Sequence, residues 1–115
     1  MQLFFRTYGE GPPFIILHGL YGMSDNWVTH AKILAENYKV YLPDMRNHGQ
    51  SGHSNSFDYA VMADDIGEFI DTHKLENPII MGHSMGGKIA MKFTLDHPEL
   101  VSKLIVKDLS LLLAL

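Results

Sequence analysis

The sequence GHSMG at residues 82–86 places Ser84 between two glycines, in the pattern Gly-x-Ser-x-Gly. The apolar run Pro78–Met81 precedes this segment, and a helix-like run that begins at Gly86 follows it. This order predicts a sharp turn from a strand into a helix, which strains the backbone of the serine and exposes its hydroxyl. Gly82 and Gly86 leave room for the turn, because side chains at those positions would collide across it. A hydroxyl presented in this way can attack an acyl carbonyl as a nucleophile.

Two other interpretations of this segment concern Ser84 and its neighbour His83. A serine in a turn can simply cap a helix, but a strand, this motif and a helix in that order favour the nucleophile. His83 is adjacent to the serine in sequence, so the sharp turn should direct its ring away from the hydroxyl. We therefore expect His83 to pack or to form hydrogen bonds beside the site, and not to act as the base.

A second glycine-containing segment, HGLYG at residues 18–22, follows the apolar run Phe14–Leu17. Acyl transfer needs two hydrogen-bond donors aimed at the carbonyl oxygen as it becomes an oxyanion. For a serine in a strand-to-helix turn, one donor is the N–H of the next residue, Met85, and the other comes from an earlier loop, here Leu20. An ordinary glycine-rich turn is the alternative for this loop. Neither glycine pattern typical of phosphate-binding loops is present, which argues against nucleotide binding.

Strand-like and helical patterns alternate along the chain. The runs that predict strands are Leu3–Tyr8, Phe14–Leu17, Lys39–Leu42, Pro78–Met81 and Lys103–Val106. The helical patterns extend from Ser24 to about Ala35, along the stripe Met62–Ile70, and from Gly86 to Asp96. This alternation predicts an α/β fold, a mostly parallel sheet with helices on both faces. The apolar runs FIIL, PIIM and KLIV are typical of buried parallel strands.

In such a sheet the carboxyl ends of the parallel strands share one edge, where ligands bind. Residues 18–20, 44–46 and 82–84 each follow a predicted strand, so all three segments should reach that edge. Their convergence predicts a single site around Ser84. The residues predicted to contact substrate there are His18, Gly19, Tyr21 and His83.

Composition limits the class of protein. A chain of 115 residues, 46% hydrophobic and 19% charged, suits one soluble globular domain. The net charge of −4 and the absence of a basic block argue against nucleic acid and anionic lipid as partners. The chain contains no apolar run of about 20 residues, which a membrane span would need, and its first residues do not resemble a signal peptide. Without cysteine there are no disulfides or thiolate metal sites, so we expect a cytoplasmic protein without a cofactor.

Three segments together, HGLYGMSDNW, DMRNHGQSGHS and GHSMGGKIAM, resemble the α/β-hydrolase fold superfamily. The likeness extends from Gly9 to Ser110 and is greatest to small carboxylesterases and thioesterases that carry a D-x-R-N-H-G-x-S segment. It implies that Ser84 is the nucleophile and that Leu20 and Met85 are the oxyanion donors. It also implies that the substrate is a small acyl ester or thioester, and that residues 44–51 help to shape the site.

Other polar residues near this edge have less direct interpretations. Asp44 and Arg46 are expected to form a structural ion pair or to tether the loop, since charges at a surface edge are usually structural. The histidines His18, His48 and His53 match no standard zinc spacing, so no metal site is expected.

The remaining members of a catalytic triad are not evident in this sequence. In this superfamily the acid and then the histidine follow the nucleophile in the chain. The only histidine after Ser84 is His97, which a helix rising 1.5 Å per residue would place roughly 18 Å away. Asp108 ends a strand at the correct edge but has no histidine beside it to orient. We therefore expect residues 1–115 to form a single partial domain, a truncated α/β-hydrolase fold with weak or no activity.

Two questions stay open at this point. The chain could be a truncation, a frameshifted product or a deliberate half-domain. It could also be a binding or assembly module that keeps the fold and the cleft without catalysis, because a serine without its base is a poor nucleophile.

The end of the sequence predicts self-association. The last predicted strand, Lys103–Val106, would form an apolar sheet edge without a partner, and such an edge is a template for pairing. The apolar residues 111–115 would add exposed surface. Pairing across a two-fold axis closes the assembly, so we expect a homodimer with Lys103–Leu115 in its interface.

Overall fold

The computed structural model describes residues 1–20 and 22–107. Within these residues, strands and helices alternate as predicted, and every predicted strand and helix is present. The strands are β1 (Phe5–Tyr8), β2 (Pro13–Leu17), β3 (Lys39–Pro43), β4 (Ile79–His83) and β5 (Lys103–Lys107). The α-helices are α1 (Val28–Leu34), α2 (Tyr59–Thr72) and α3 (Met85–Asp96). Short 3-10 turns at Ser24–Trp27 and Pro98–Leu100 precede α1 and follow α3.

The strands form one sheet in the order β1-β3-β2-β4-β5. Strands β2 to β5 are parallel, as predicted, with β2 pairing to both β3 and β4 and β4 pairing to β5. The first strand is an exception, because β1 runs antiparallel to β3 with Phe5 opposite Pro43 and Tyr8 opposite Val40. Only four residues separate β1 from β2, which is too short for the crossover of a dozen or more residues that a parallel connection needs.

Helices cover both faces of the sheet, and the alternation of side chains along β2 shows why. Ile15 and Leu17 face α2 and α3, where they join a buried cluster that includes Ile66 and Phe93. Phe14 and Ile16 point to the opposite face and pack with residues of α1. Successive side chains of a strand alternate between faces, so each face of this apolar strand needs its own helical layer. The predicted fold class is therefore confirmed.

Strand β5 departs from the prediction that its apolar run is buried. All five of its residues are exposed, and the apolar side chains Leu104, Ile105 and Val106 are each about two-fifths accessible. In the described part of the chain β5 pairs only with β4. Its apolar sequence therefore marks the edge of the sheet that these residues form, and not a strand with neighbours on both sides.

No helix among the described residues is long and apolar enough to cross a membrane.

Candidate active site

Ser84 occupies the sharp turn between β4 and α3, with φ 54° and ψ −112°. A positive φ in a residue with a side chain costs about 1–3 kcal/mol and persists only where the surroundings enforce it. Two hydrogen bonds enforce it here. The Ser84 N–H donates to the carbonyl of Lys107 at 2.8 Å, and the Ser84 carbonyl accepts from the N–H of Lys88 at 3.1 Å. The turn is thus anchored both to β5 and to the first turn of α3.

The glycines that flank Ser84 allow this turn to form. A Cβ at Gly82 would overlap the carbonyl group of Gly86, and a Cβ at Gly86 would overlap the carbonyl of Leu17. The carbonyl of His18 would also lie only 2.6 Å from a Cβ at Gly86. The collision that was predicted across the turn is therefore found, and it involves β2 as well as the turn itself.

The two predicted oxyanion donors lie beside this serine. Leu20, Ser84 and Met85 line one cleft of about 500 Å³. Gly19 packs against the turn, since a Cβ on it would be 3.5 Å from the Cβ of Ser84. Within the described residues, neither the Leu20 nor the Met85 backbone N–H has a hydrogen-bond acceptor. Two amides of this kind beside a hydroxyl can bind the oxyanion of a tetrahedral intermediate.

The rest of the cleft comes from the start of α2 and from α3. Its wall is mainly apolar, with two charged residues, and its lining beyond the serine and the two donor residues consists of Phe57, Asp58, Tyr59, Met62 and Lys88. Asp58 caps α2 by accepting a hydrogen bond from the Val61 N–H at 2.8 Å. The ammonium of Lys88 lies 5.8 Å from the ring centre of Tyr59.

Sequence reasoning did not predict these five lining residues. Lys88 could have been found, because it lies four residues after Ser84, and residues at that spacing share a helix face. The position of residues 57–59 depends on how α2 packs against α3, and no local pattern in the sequence indicates that packing.

His18 lies in the interior and does not contact the cleft. Its side chain is 1% exposed. Its Nδ1 lies 2.8 Å from the carbonyl oxygen of Gly19, and its Nε2 accepts a hydrogen bond from the Met45 N–H at 2.9 Å. Burial lowers the pKa of His18, because it disfavours the charged ring. This position differs from the prediction that His18 contacts substrate, since the ring is buried and both hydrogen bonds hold it inside the protein.

The other predicted contact residues lie around the same turn. The ring of His83 is half-buried and lies 5.6 Å from that of Trp27, in the packing role that its sequence position suggested. Its Nδ1 approaches Gly19 so closely that a Cβ on that glycine would be 3.0 Å away. In the described part of the chain His83 is not among the residues that line the cleft. Tyr21 lies outside the described residues.

Asp44 tethers the loop between β3 and α2. It is 2% exposed, and its carboxylate accepts hydrogen bonds from the Ser24 N–H at 2.6 Å and the Gln50 N–H at 3.0 Å. The hydroxyl of Ser51 donates to the Asp44 carbonyl. The interpretation of Asp44 as a loop tether is therefore confirmed, although its carboxylate is buried and not at the surface.

Arg46 forms its ion pair with α2 and not with Asp44. Its Nε and one terminal nitrogen donate to the two carboxylate oxygens of Asp65, at 2.7 and 2.9 Å. Both side chains are buried. The hydrogen bonds to Asp65 raise the pKa of the guanidinium, so the pair stays charged and fixes the loop 44–51 to α2.

The described residues place no histidine beside the serine to act as its base. No histidine among them lines the cleft. His97 lies at the far end of α3, exposed and 3.7 Å from Glu99. The twelve residues of that helix place it roughly 18 Å from Ser84. Asp108 lies outside the described residues, and no group of three or more side chains that could hold a metal ion occurs within the described ranges.

Comparison with known proteins identifies a family and a solved structure that this chain resembles. Residues 12–111 match a family model described as alpha/beta hydrolase fold. The solved structure of a marine microorganism esterase is 55% identical and has a TM-score of 0.91 over 92% of this chain and 41% of its own.

Two curated proteins are similar over most of this chain. A "probable alcohol acetyltransferase" of Saccharomyces cerevisiae is 48% identical over 87% of this chain and 32% of its own length. An sn-1-specific diacylglycerol lipase of Xenopus laevis is 40% identical over 87% of this chain and 33% of its own length. The chain thus spans about a third of the length of these relatives.

Proposed function

This chain belongs to the α/β hydrolase fold family, and we propose that it carries the nucleophile and the oxyanion donors of a serine hydrolase. The substrates are small acyl esters or thioesters. The observation that supports this most is the strained backbone of Ser84 at the turn from β4 into α3. Such strain is characteristic of functional sites, and the cleft beside it also contains Leu20 and Met85.

In the proposed reaction the Ser84 hydroxyl attacks the carbonyl carbon of the ester. Its proton passes to a base, which the described residues do not supply, and the carbonyl oxygen becomes an oxyanion held by the Leu20 and Met85 N–H groups. The intermediate collapses when the alcohol or thiol leaves with that proton, which gives an acyl-enzyme. Water then attacks the acyl group, releases the carboxylic acid and restores the hydroxyl.

The composition of the cleft supports an acyl group of modest size. Leu20, Met62 and Met85 give it an apolar wall, and its volume is about 500 Å³. Apolar walls with a few polar groups are typical of small-molecule sites. By resemblance to the esterase and lipase relatives, we propose that the acyl chain lies against this wall.

A second candidate is transfer of the acyl group to an alcohol in place of water. The name of the yeast relative, a probable alcohol acetyltransferase, supports it. The same acyl-enzyme serves both reactions, since an alcohol can attack it as water does. Formation of an ethyl ester from the acyl donor when ethanol is added would separate transfer from hydrolysis.

Ester turnover by the 115-residue chain tests the proposal. We expect slow release of p-nitrophenol from p-nitrophenyl acetate and butyrate, because Ser84 without a base is a poor nucleophile. Added imidazole should accelerate it by acting as the base. Ser84→Ala should reduce both rates to those of protein-free blanks with the same imidazole concentration, whereas Ser102→Ala, at an exposed serine before β5, should leave both rates unchanged. A folded chain whose turnover does not depend on Ser84 would support an inactive binding module instead.

We also propose that the 115-residue chain associates as a homodimer through β5 and that it is cytoplasmic. The exposed apolar side chains of β5 support the first proposal. The predicted interface continues through residues 108–115, which lie outside the described residues. The absence of cysteine is compatible with the second proposal.

A further inference from the structure

The hydrogen bonds of His18 determine its protonation state. A carbonyl oxygen can only accept, so Nδ1 must carry the proton that is donated to Gly19. A backbone N–H can only donate, so Nε2 must offer its lone pair to Met45. Both bonds exist together only in the neutral ring with its proton on Nδ1. The ring therefore connects the loop after β2 to the loop after β3 in one charge state only.

The Gly19 carbonyl belongs to the same peptide group as the Leu20 N–H. A trans peptide is planar, and its C=O and N–H point in opposite directions. No cis peptide occurs among the described residues. The Gly19 oxygen receives a second hydrogen bond, from the Gly22 N–H at 3.0 Å. Whatever fixes the direction of this carbonyl therefore also fixes the direction of the Leu20 N–H, which points the opposite way in the same plane.

We propose that His18 is a positioning residue for the oxyanion site: its neutral ring holds the Gly19–Leu20 peptide so that the Leu20 N–H faces the cleft of Ser84. The inference rests on the proposed function, because it assigns Leu20 as an oxyanion donor. It goes beyond that function by making the donor depend on the protonation state of a buried histidine that does not contact substrate.

The hydrogen bond from the Met45 N–H to Nε2 holds the ring of His18 in place. Met45 is fully buried, and the preceding Asp44 is held by the amides of Ser24 and Gln50. Because Met45 cannot move easily, its bond to Nε2 prevents the ring from rotating away from Gly19. The loop 44–51, which was expected to help shape the site, does so in this account through His18.

Protonation of His18 would break this arrangement. A proton on Nε2 would face the Met45 N–H, so two donors would oppose each other. The ionisable groups around the ring are His48, whose ring centre is 5.0 Å away, the carboxylate of Asp44, and His83 on the other side of Gly19. Burial is the largest influence and lowers the pKa of His18; His48 adds to this lowering, while the Gly19 carbonyl and Asp44 oppose it.

The consequence for stability follows from the lowered pKa. The ordinary pKa of histidine is 6.5. Above it the ring is neutral in both the folded and the unfolded chain, and this group adds no pH dependence. As the pH falls below about 6.5, the unfolded chain binds a proton that the folded chain does not, so the free energy of unfolding decreases until the folded pKa is reached.

Two substitutions separate the two bonds of the ring. In His18→Asn the amide nitrogen takes the place of Nδ1 and can still donate to Gly19, but the side chain is too short to reach Met45. In His18→Gln the amide oxygen takes the place of Nε2 and can accept from Met45, while the donor to Gly19 is lost. Neither side chain titrates. His53→Asn, at an exposed histidine, is the matched control.

The test combines nitrogen-15 NMR with Ser84-dependent ester turnover. In the unaltered chain we expect a protonated Nδ1 and an unprotonated Nε2 at pH 7. The Leu20 and Met45 amide signals should move together at the pH where His18 titrates, below its ordinary pKa. His18→Asn should keep the Leu20 amide signal near its original position without that transition. His18→Gln should shift the signal and lower kcat more than KM, by up to the 10²–10³-fold lost when an oxyanion donor is removed.

The NMR arm does not require turnover, so it separates this inference from the proposed function. A Leu20 amide that stays unmoved while His18 titrates would overturn the inference. Equal loss of kcat in the Asn and Gln variants would also overturn it. If either variant fails to fold, the titration of the unaltered chain decides alone. A coupled Leu20 signal in a chain without Ser84-dependent turnover would support the positioning role and count against the proposed function.

Discussion

At the scale of single residues, the site depends on one strained backbone conformation and on groups that leave space for it. Ser84 is held at φ 54° by bonds to β5 and α3. Gly82 and Gly86 are required because backbone atoms occupy the space of their missing side chains. The strain is a local cost in free energy that the surrounding fold offsets. A substitution that removes the strain should therefore raise the free energy of unfolding.

Replacement of Ser84 by glycine should relieve that strain. We expect Ser84→Gly to raise the free energy of unfolding by about 1 kcal/mol relative to Ser84→Ala, because glycine adopts positive φ without steric cost and loses part of the gain through its more flexible unfolded chain. Both variants should be inactive. Urea denaturation measures the difference. Equal stabilities would mean that the backbone at this turn is not strained.

At the scale of secondary-structure elements, α2 is fixed to the loop that follows β3. The bidentate pair between Arg46 and Asp65 makes this connection among buried residues. The same helix supplies Tyr59 and Met62 to the wall of the cleft. A change in this ion pair should therefore affect both stability and the shape of the site.

Removal of the charge at Asp65 should leave Arg46 buried without its counter-ion. We expect Asp65→Asn to lower the free energy of unfolding by about 3–5 kcal/mol, the typical cost of breaking a buried pair. Asp64→Asn is the matched control, since Asp64 is adjacent but exposed, and it should change stability by less than about 0.5 kcal/mol. Thermal or urea unfolding of the two variants gives the comparison. Similar effects of both would show that the buried pair contributes little.

The strands, the helices and the turn at Ser84 could be predicted from local sequence, but the residues that they contact elsewhere in the chain could not. Short apolar runs indicated all five strands, and the glycines around Ser84 indicated the turn. The antiparallel direction of β1 follows from its short connection to β2. The exposure of β5 depends on which strands and helices lie next to it. Asp65 as the partner of Arg46 and His18 as a buried ring are long-range contacts. No periodicity in the sequence encodes contacts of this kind.

At the scale of the whole molecule, the described residues form a sheet that is covered by helices on both faces but has one exposed apolar edge. That edge is β5, next to the strand that leads into Ser84. The Ser84 N–H is bonded to Lys107 at the end of this edge strand. Association at β5 would thus take place close to the nucleophile.

A charge on this edge should prevent association of the 115-residue chain. We expect the unaltered chain to be a dimer and Ile105→Lys to be a monomer, because lysine on an edge strand opposes pairing. Leu95→Lys is the control, since Leu95 is 80% exposed on α3 and should leave the dimer intact. Size-exclusion chromatography with light scattering measures the mass. A monomeric unaltered chain at micromolar concentration would contradict the prediction.

Covalent labelling is the sharpest test of whether Ser84 is a nucleophile that lies beside two oxyanion donors. The 115-residue chain is treated with a fluorophosphonate, with and without imidazole, and the adduct is located by mass spectrometry of its peptides. We predict a single adduct on Ser84 that forms slowly, forms faster with imidazole, and is absent from Ser84→Ala. Adducts spread over several serines, or no adduct on the folded chain even with imidazole, would show that Ser84 is not an activated nucleophile.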